Sequence, residues 1–198
     1  RYTTQVREPL KSLGEALADP IYELIPEYSG QPRVSRINND IRFNPNKPPY
    51  REYMWISFGI KDSPADIFIA IDKNGWTAGC GIGGRKRELL HDWRRNLIDN
   101  NSEWLSHMEE LQKKHKLSIN IGDKYKKPLF PDIPESVLDI VQARDVWILL
   151  DVNNKIGSMP EDIIFKGICQ LMHLYLFMTV APSAIHQELS TLRLCLRA

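Results

Sequence analysis

The stretch that most constrains the fold is 66–82, where DIFIAID and WTAGCGIG flank Asn74-Gly75. An Asn-Gly step between two alternating apolar runs is the strongest short-range signal for a tight hairpin. Two further segments share the two-residue period. One is MWISFGI (54–60); the other is 34–43, where Ile37, Ile41 and Phe43 fall on one face and Arg36, Asn38, Asp40 and Arg42 on the other. Four strands joined by short connections predict an antiparallel sheet, because parallel neighbours need long crossovers.

Around this sheet the period changes to that of helices. Val6, Leu10, Leu13 and Leu17 predict an amphipathic helix over 3–18, with Pro9 inside the pattern and Asp19-Pro20 ending it. Helices are also predicted over 85–99 and 102–115; the second has Ser102 as N-cap and buries Trp104, Leu105, Met108 and Leu111. KLSINIG reads as a strand, and DKYKKPLFPDIP as an irregular basic loop. Pro134 opens a short helix reaching Val141, and DVWILLDV (145–152) is an apolar strand. Ser158 and Glu161 form a capping box for a long helix running to about 181, and the tail from Ser183 is helical too. The expected class is α+β: a mostly antiparallel sheet with flanking helices at both ends. With 198 residues, no internal repeat and no low-complexity linker, 1–198 reads as one domain.

A net charge of +1 gives no global pull towards nucleic acid or membrane, but the charge is unevenly spread. Residues 33–55 and 85–95 each carry five Lys/Arg against two acids, and 113–127 carry six against one. Brought together, these stretches would attract phosphates; apart, they are solvated faces. Cys80, Cys169 and Cys195 are too few and too scattered for a disulfide framework or a zinc site, which suits a reducing, cytoplasmic compartment. The longest uncharged run, 167–181, is shorter than the roughly 20 residues of a spanning helix, so no membrane partner is expected. The chain begins at Arg1 rather than Met, as a trimmed chain would, with no legible signal peptide.

Several motifs offer chemistry. Gly79, Gly81 and Gly84 match G-x-G-x-x-G, but the preceding strand is the second arm of a hairpin and no acidic residue closes a second parallel strand. Strand glycines mark a bulge or a close backbone approach, while a simple anion contact at the following helix start, aided by Arg85, stays open. Cys80 lies near Arg85, and His91 on the next helix is the one candidate base, against the plainer reading of a small residue in a tight strand. The five histidines do not pair at metal-ligand spacing, and His107 with Glu110 lacks a third ligand, so neither metal nor cofactor is assigned.

RINNDIRFNPNKPPYRE (36–52) is different in kind. Asp40 stands between Arg36 and Arg42 and is placed to orient Arg42 by a charge-assisted bond, readying a guanidinium for carboxylate or phosphate. Lys47 and Tyr50 follow on a proline-stiffened loop, which limits the entropy lost on binding. The same pattern also fits a solvated face laced with one Arg–Asp pair.

This run, with Lys47-Pro48-Pro49-Tyr50-Arg51, resembles the hallmark of a widespread family of conserved hypothetical proteins, approximately R-I-Y-R-D-V-R-F-S-x-D-K-x-P-Y-K. WTAGCGIGG, followed by a helix carrying Arg94 and Arg95, is similar to that family's glycine-bearing strand and next helix, and the likeness runs from about 3 to 181. Asn38, Asn39 and Asn46 depart from the pattern. The resemblance implies a place for a site but no reaction, since the family is one of unknown function, and it implies that the glycines belong to the sheet.

The expected function is therefore a small anionic ligand bound by Arg36, Arg42 and Lys47, with Asp40 orienting and Tyr50 forming a wall. Arg85, Arg94 or Arg95 would add charge from the adjoining helix. The alternative is a nucleic-acid-binding module using the three basic stretches with Trp55, Trp76 and Trp93. A third reading is a purely structural or interaction protein.

Overall fold

The computed structural model describes residues 2–25, 31–39, 42, 46, 48–59, 63–84, 90–153 and 161–195. A π-helical turn, Thr3–Arg7, runs into α1 (Glu8–Leu24), followed by β1 (Arg33–Val34), β2 (Met54–Ser57), β3 (Asp66–Asp72) and β4 (Gly75–Ile82). Then come α2 (His91–Asp99), α3 (Asn101–Lys114), β5 (Leu117–Ile121), α4 (Leu138–Gln142), β6 (Val146–Asn153), α5 (Glu161–Thr179) and α6 (Ile185–Cys195). The strands form one sheet in the order β1-β2-β3-β4-β6-β5, every neighbouring pair antiparallel, so the fold is α+β.

The hairpin forms where expected, with a different turn. Asp72 pairs with Gly75 across a two-residue loop of Lys73 and Asn74, and Gly75 takes the positive φ, 132°. Asp72 explains the choice: its Oδ1 accepts the Asn74 N–H at 2.7 Å, a local bond that stabilises a tight turn one residue earlier than Asn74-Gly75 would place it.

Helix α1 does not stop at Asp19. It runs through Pro20 to Leu24, because Leu17 and Ile21 are buried on either side and their packing outweighs the roughly 3 kcal/mol an interior proline costs. Pro9 is accommodated at the other end, where the Glu8 N–H reaches back to Thr3 O in a widened π turn. Ser102 is not a cap: α3 begins at Asn101, with Asn100 at its N-cap position making no side-chain cap bond. Trp104, Met108 and Leu111 are buried as expected, and Leu105 only partly. In the expected 34–43 strand the described residues form a regular ladder at Arg33–Val34 and one isolated bridge, Asn38 to Tyr50, while 40, 41 and 43 lie outside the described residues. The Ser158 end of the expected capping box lies outside the described residues.

Helix α5 lies across β4, β6 and β3, α1 covers β1 and β2, and α2, α3 and α6 pack on α5. All of this rests on one face of the sheet, the face of Met54, Ile56, Ile67, Ile69, Ala78, Cys80, Ile148 and Leu150, all buried. Asn96 ties α2 to the end of α5, donating from Nδ2 to Phe177 O at 3.1 Å and Val180 O at 2.7 Å. Among the described residues, no helix is long and apolar enough to cross a membrane.

Candidate functional site

Strand alternation sends the other half of each strand to the opposite face, which the helices leave uncovered. There, Tyr53 just before β2, Trp55 and Ser57 of β2, Asp66, Phe68, Ala70 and Asp72 of β3, Thr77 of β4, Trp147 and Leu149 of β6, and Asn120 of β5 line a cleft of about 630 Å³. That is within the roughly 300–1,000 Å³ of small-molecule sites. Two glycines of β4 and one just beyond its end make it possible. A Cβ at Gly79 would lie 2.2 Å from the tip of the Phe68 ring, and one at Gly83 would lie 2.3 Å from the Trp147 indole. At Gly81 the β6 backbone itself approaches, putting a Cβ 2.3 Å from Val146 O. Phe68 and Trp147 thus bed into a trough of missing side chains, edge to face at 5.5 Å. On the far side, Trp55 stacks with Tyr53 at 5.7 Å and carries the Arg51 guanidinium 4.5 Å over its ring.

The arginine-bearing arm lies beside this cleft. Arg51 N–H donates to Ile37 O and Asn39 N–H to Pro49 O, while the Asn39 side chain donates to Pro48 O at 2.7 Å and Tyr50 O at 3.0 Å. Asn39, which departs from the family pattern, thereby clamps the proline loop. Arg36, Arg42 and Tyr50 are exposed, Tyr50 at 62%. Asp40, Lys47 and Arg85 lie outside the described residues. Among the described residues, none of those expected to bind ligand lines the cleft; Arg51 links the arm to it by resting on Trp55.

Arg94, expected among the ligand contacts, is a core residue. It is 1% exposed and donates from Nε to Val141 O at 2.9 Å and from Nη2 to Ala143 O at 3.0 Å, its guanidinium near the Tyr125 ring. The helical period puts it on the buried face of α2, and the carbonyls at the end of α4 need donors. Arg95 is half-exposed, 3.5 Å from Asp99 and 6.0 Å from the Phe130 ring. The Gly84 amide, the anion contact left open at this turn, already donates to Asp145 Oδ1 at 3.2 Å.

Two of the three tryptophans assigned to nucleic-acid stacking, Trp76 and Trp93, are buried in the core. In the 113–127 stretch, Lys114, Lys116 and Lys124 pair with Glu110, Asp151 and Asp139 at 2.6, 2.9 and 2.7 Å. The hydrogen bond and charge of Asp151 hold the Lys116 ammonium above its ordinary pKa.

Cys80 faces the helices and is fully buried, and burial pushes its thiol from 9.0 up to about 12. His91 is exposed on α2, against Asp92 and Phe130. Nucleophilic chemistry at Cys80 is not supported. The raised pKa means the folded state holds the proton more tightly. Its contribution to stability is complete below pH 9.0 and is lost as pH rises towards about 12. Native protein at pH 8 is accordingly expected to leave Cys80 unmodified by iodoacetamide, with peptide mass spectrometry showing alkylation only after denaturation. His107 shares α3 with Glu110, as expected, and also stacks on His173 of α5 at 4.0 Å. Among the described residues, no group of three or more His, Cys, Asp and Glu is placed to hold a metal.

The aromatic cleft was the part that sequence reasoning missed. Its signal was present in the alternation: Trp55, Phe68 and Trp147 occupy the outward positions of their strands, and the glycines recur at the outward positions of β4. The molecule is thus an α+β protein with one helix-covered and one open, aromatic sheet face. A model of the conserved hypothetical protein family DUF2461 matches residues 1–163, and the chain belongs to that family. The match ends within the first turn of α5, short of the 181 expected, so most of α5 and all of α6 lie beyond it. No curated protein and no solved structure matches the chain.

Proposed function

We propose that the protein binds a small ring-bearing ligand in the cleft on the open sheet face. The observation that carries this reading is the trough of Gly79, Gly81 and Gly83. Glycine weakens a strand by roughly 0.5–1 kcal/mol relative to alanine, and two in β4 with a third just beyond it, on the face the helices leave open, have no core to serve. What they accommodate is a pair of aromatic rings at the edge of a cleft of ligand size. Tryptophan fluorescence titration against a library of cyclic metabolites tests the proposal. Saturable quenching is expected, lost in Trp147→Ala; a ligand bound equally well by that variant would place the site elsewhere.

A second reading keeps the anionic ligand at Arg36, Asp40, Arg42, Lys47 and Tyr50. It is favoured by the Asn39 clamp, which holds Pro48 and Tyr50 on the arm that also carries exposed Arg36. Phosphorylated or carboxylated metabolites should then raise the melting temperature of wild type and not of Arg36→Ala or Arg42→Ala. A stabilising oligonucleotide, weakening steeply with salt, would favour the nucleic-acid alternative instead.

A further inference from the structure

We infer that the ligand of the aromatic cleft is a neutral carbohydrate, an inference that rests on the cleft reading above. Three features of the lining point the same way. The first is charge: among the described residues the lining includes the carboxylates of Asp66 and Asp72 and no lysine or arginine, so a phosphate settling between them would meet like charge. Two cations flank the lining without joining it: Arg51 lies 4.5 Å over the Trp55 ring, and Arg33 Nη2 stands 2.8 Å from where a Cβ on Gly59 would lie, a place 2.4 Å from Asp66 Oδ1, on the side of the protein's own carboxylate.

The second is the distribution of polar groups. Ser57, Asp66, Asp72, Thr77 and Asn120 stand around an apolar middle of Phe68, Ala70, Trp147 and Leu149. Carboxylate and amide oxygens accept hydrogen bonds, so the complementary ligand is rich in donors at its rim and apolar on its face. A pyranose has that construction: hydroxyls project around the ring, and C–H groups, carrying partial positive charge, cover its faces. Those C–H groups suit the negative face of an aromatic ring.

The third is length. Asp66 and Asp72 are the first and last residues of β3 and both line the cleft, which therefore runs the full strand, roughly 20 Å at the strand rise. A groove of that length fits several linked sugar units better than one compact planar molecule.

The test is isothermal titration with maltotriose, cellotriose and chitotriose, with AMP and glucose 6-phosphate as charged comparators, alongside tryptophan fluorescence. At least one neutral trisaccharide should bind saturably, and Trp147→Ala should weaken it by about tenfold or more. Because Trp147 is bedded in the sheet, Asn120→Ala on the exposed edge strand serves as a second variant, expected to weaken binding several-fold with an unchanged circular dichroism spectrum. Binding of AMP but of no trisaccharide, with loss in Trp147→Ala, would overturn the carbohydrate inference and leave the cleft reading standing. No response to any of the five compounds, or trisaccharide binding unaltered by both variants, would overturn both.

Discussion

Arg94→Ala is expected to lower the melting temperature by about 5–15 °C, corresponding to roughly 2–4 kcal/mol for a chain of this size. The guanidinium is buried and gives two donors to Val141 O and Ala143 O, the carbonyls that end α4 and lead into β6. Truncation leaves both acceptors in a dry site and opens a cavity beside Trp93 and Tyr125. Part of this loss is offset because a charge is no longer held away from water, which keeps the estimate below a simple sum of the two bonds. Arg94→Lys should fall between wild type and alanine, since an ammonium cannot reproduce the planar fork that reaches two carbonyls at once. Chemical denaturation of the three proteins checks the order. An alanine variant melting within about 2 °C of wild type would show that the carbonyls find other donors.

Gly167→Ala should also destabilise, against the usual sign. In the middle of a helix this change ordinarily gains close to 1 kcal/mol. Here a Cβ would lie 2.2 Å from Val152 Cγ1 and 3.2 Å from Ala78 Cβ, because α5 rests directly on β6 and β4 at this point. Valine is stiff at χ1 and has little room to turn away, so helix and sheet must separate, at a net cost of about 1–3 kcal/mol. Val152→Ala in the same chain should recover much of the loss, and the double-mutant cycle should show a favourable coupling between the two changes. Additive losses would mean that the clash is relieved elsewhere along α5.

What could be read from the residues alone was whatever local periodicity controls. The strands 66–72 and 75–82, the helices α2 and α3, and the α+β class all follow from spacing, because burial of one face imposes it. Pro20 escaped because its local penalty was overruled by burial of Ile21, which only the tertiary structure supplies. Arg94 and Arg95 are adjacent and chemically alike; their separation into core and surface depends on which face of α2 meets the rest of the fold. The charged run at 36–52 drew attention because charge is conspicuous, whereas the cleft is built from glycines and aromatics that look like ordinary core. Their meaning depends on knowing that the helices all settle on one side.

The strand order has a consequence for how the chain comes together. Strands β2, β3 and β4 are consecutive in sequence and pair with their neighbours, so this meander is free to assemble from local contacts. The centre of the sheet closes only when β6 slots beside β4, with Ala78 opposite Leu150, after three helices, an edge strand and a long loop have been made. Contacts so distant along the chain slow folding, and until they form, β4 offers an unpaired, glycine-rich edge to any passing strand. During synthesis the growing chain carries that open seam from residue 82 until residue 153 emerges, and a fragment ending before 146 should aggregate through it.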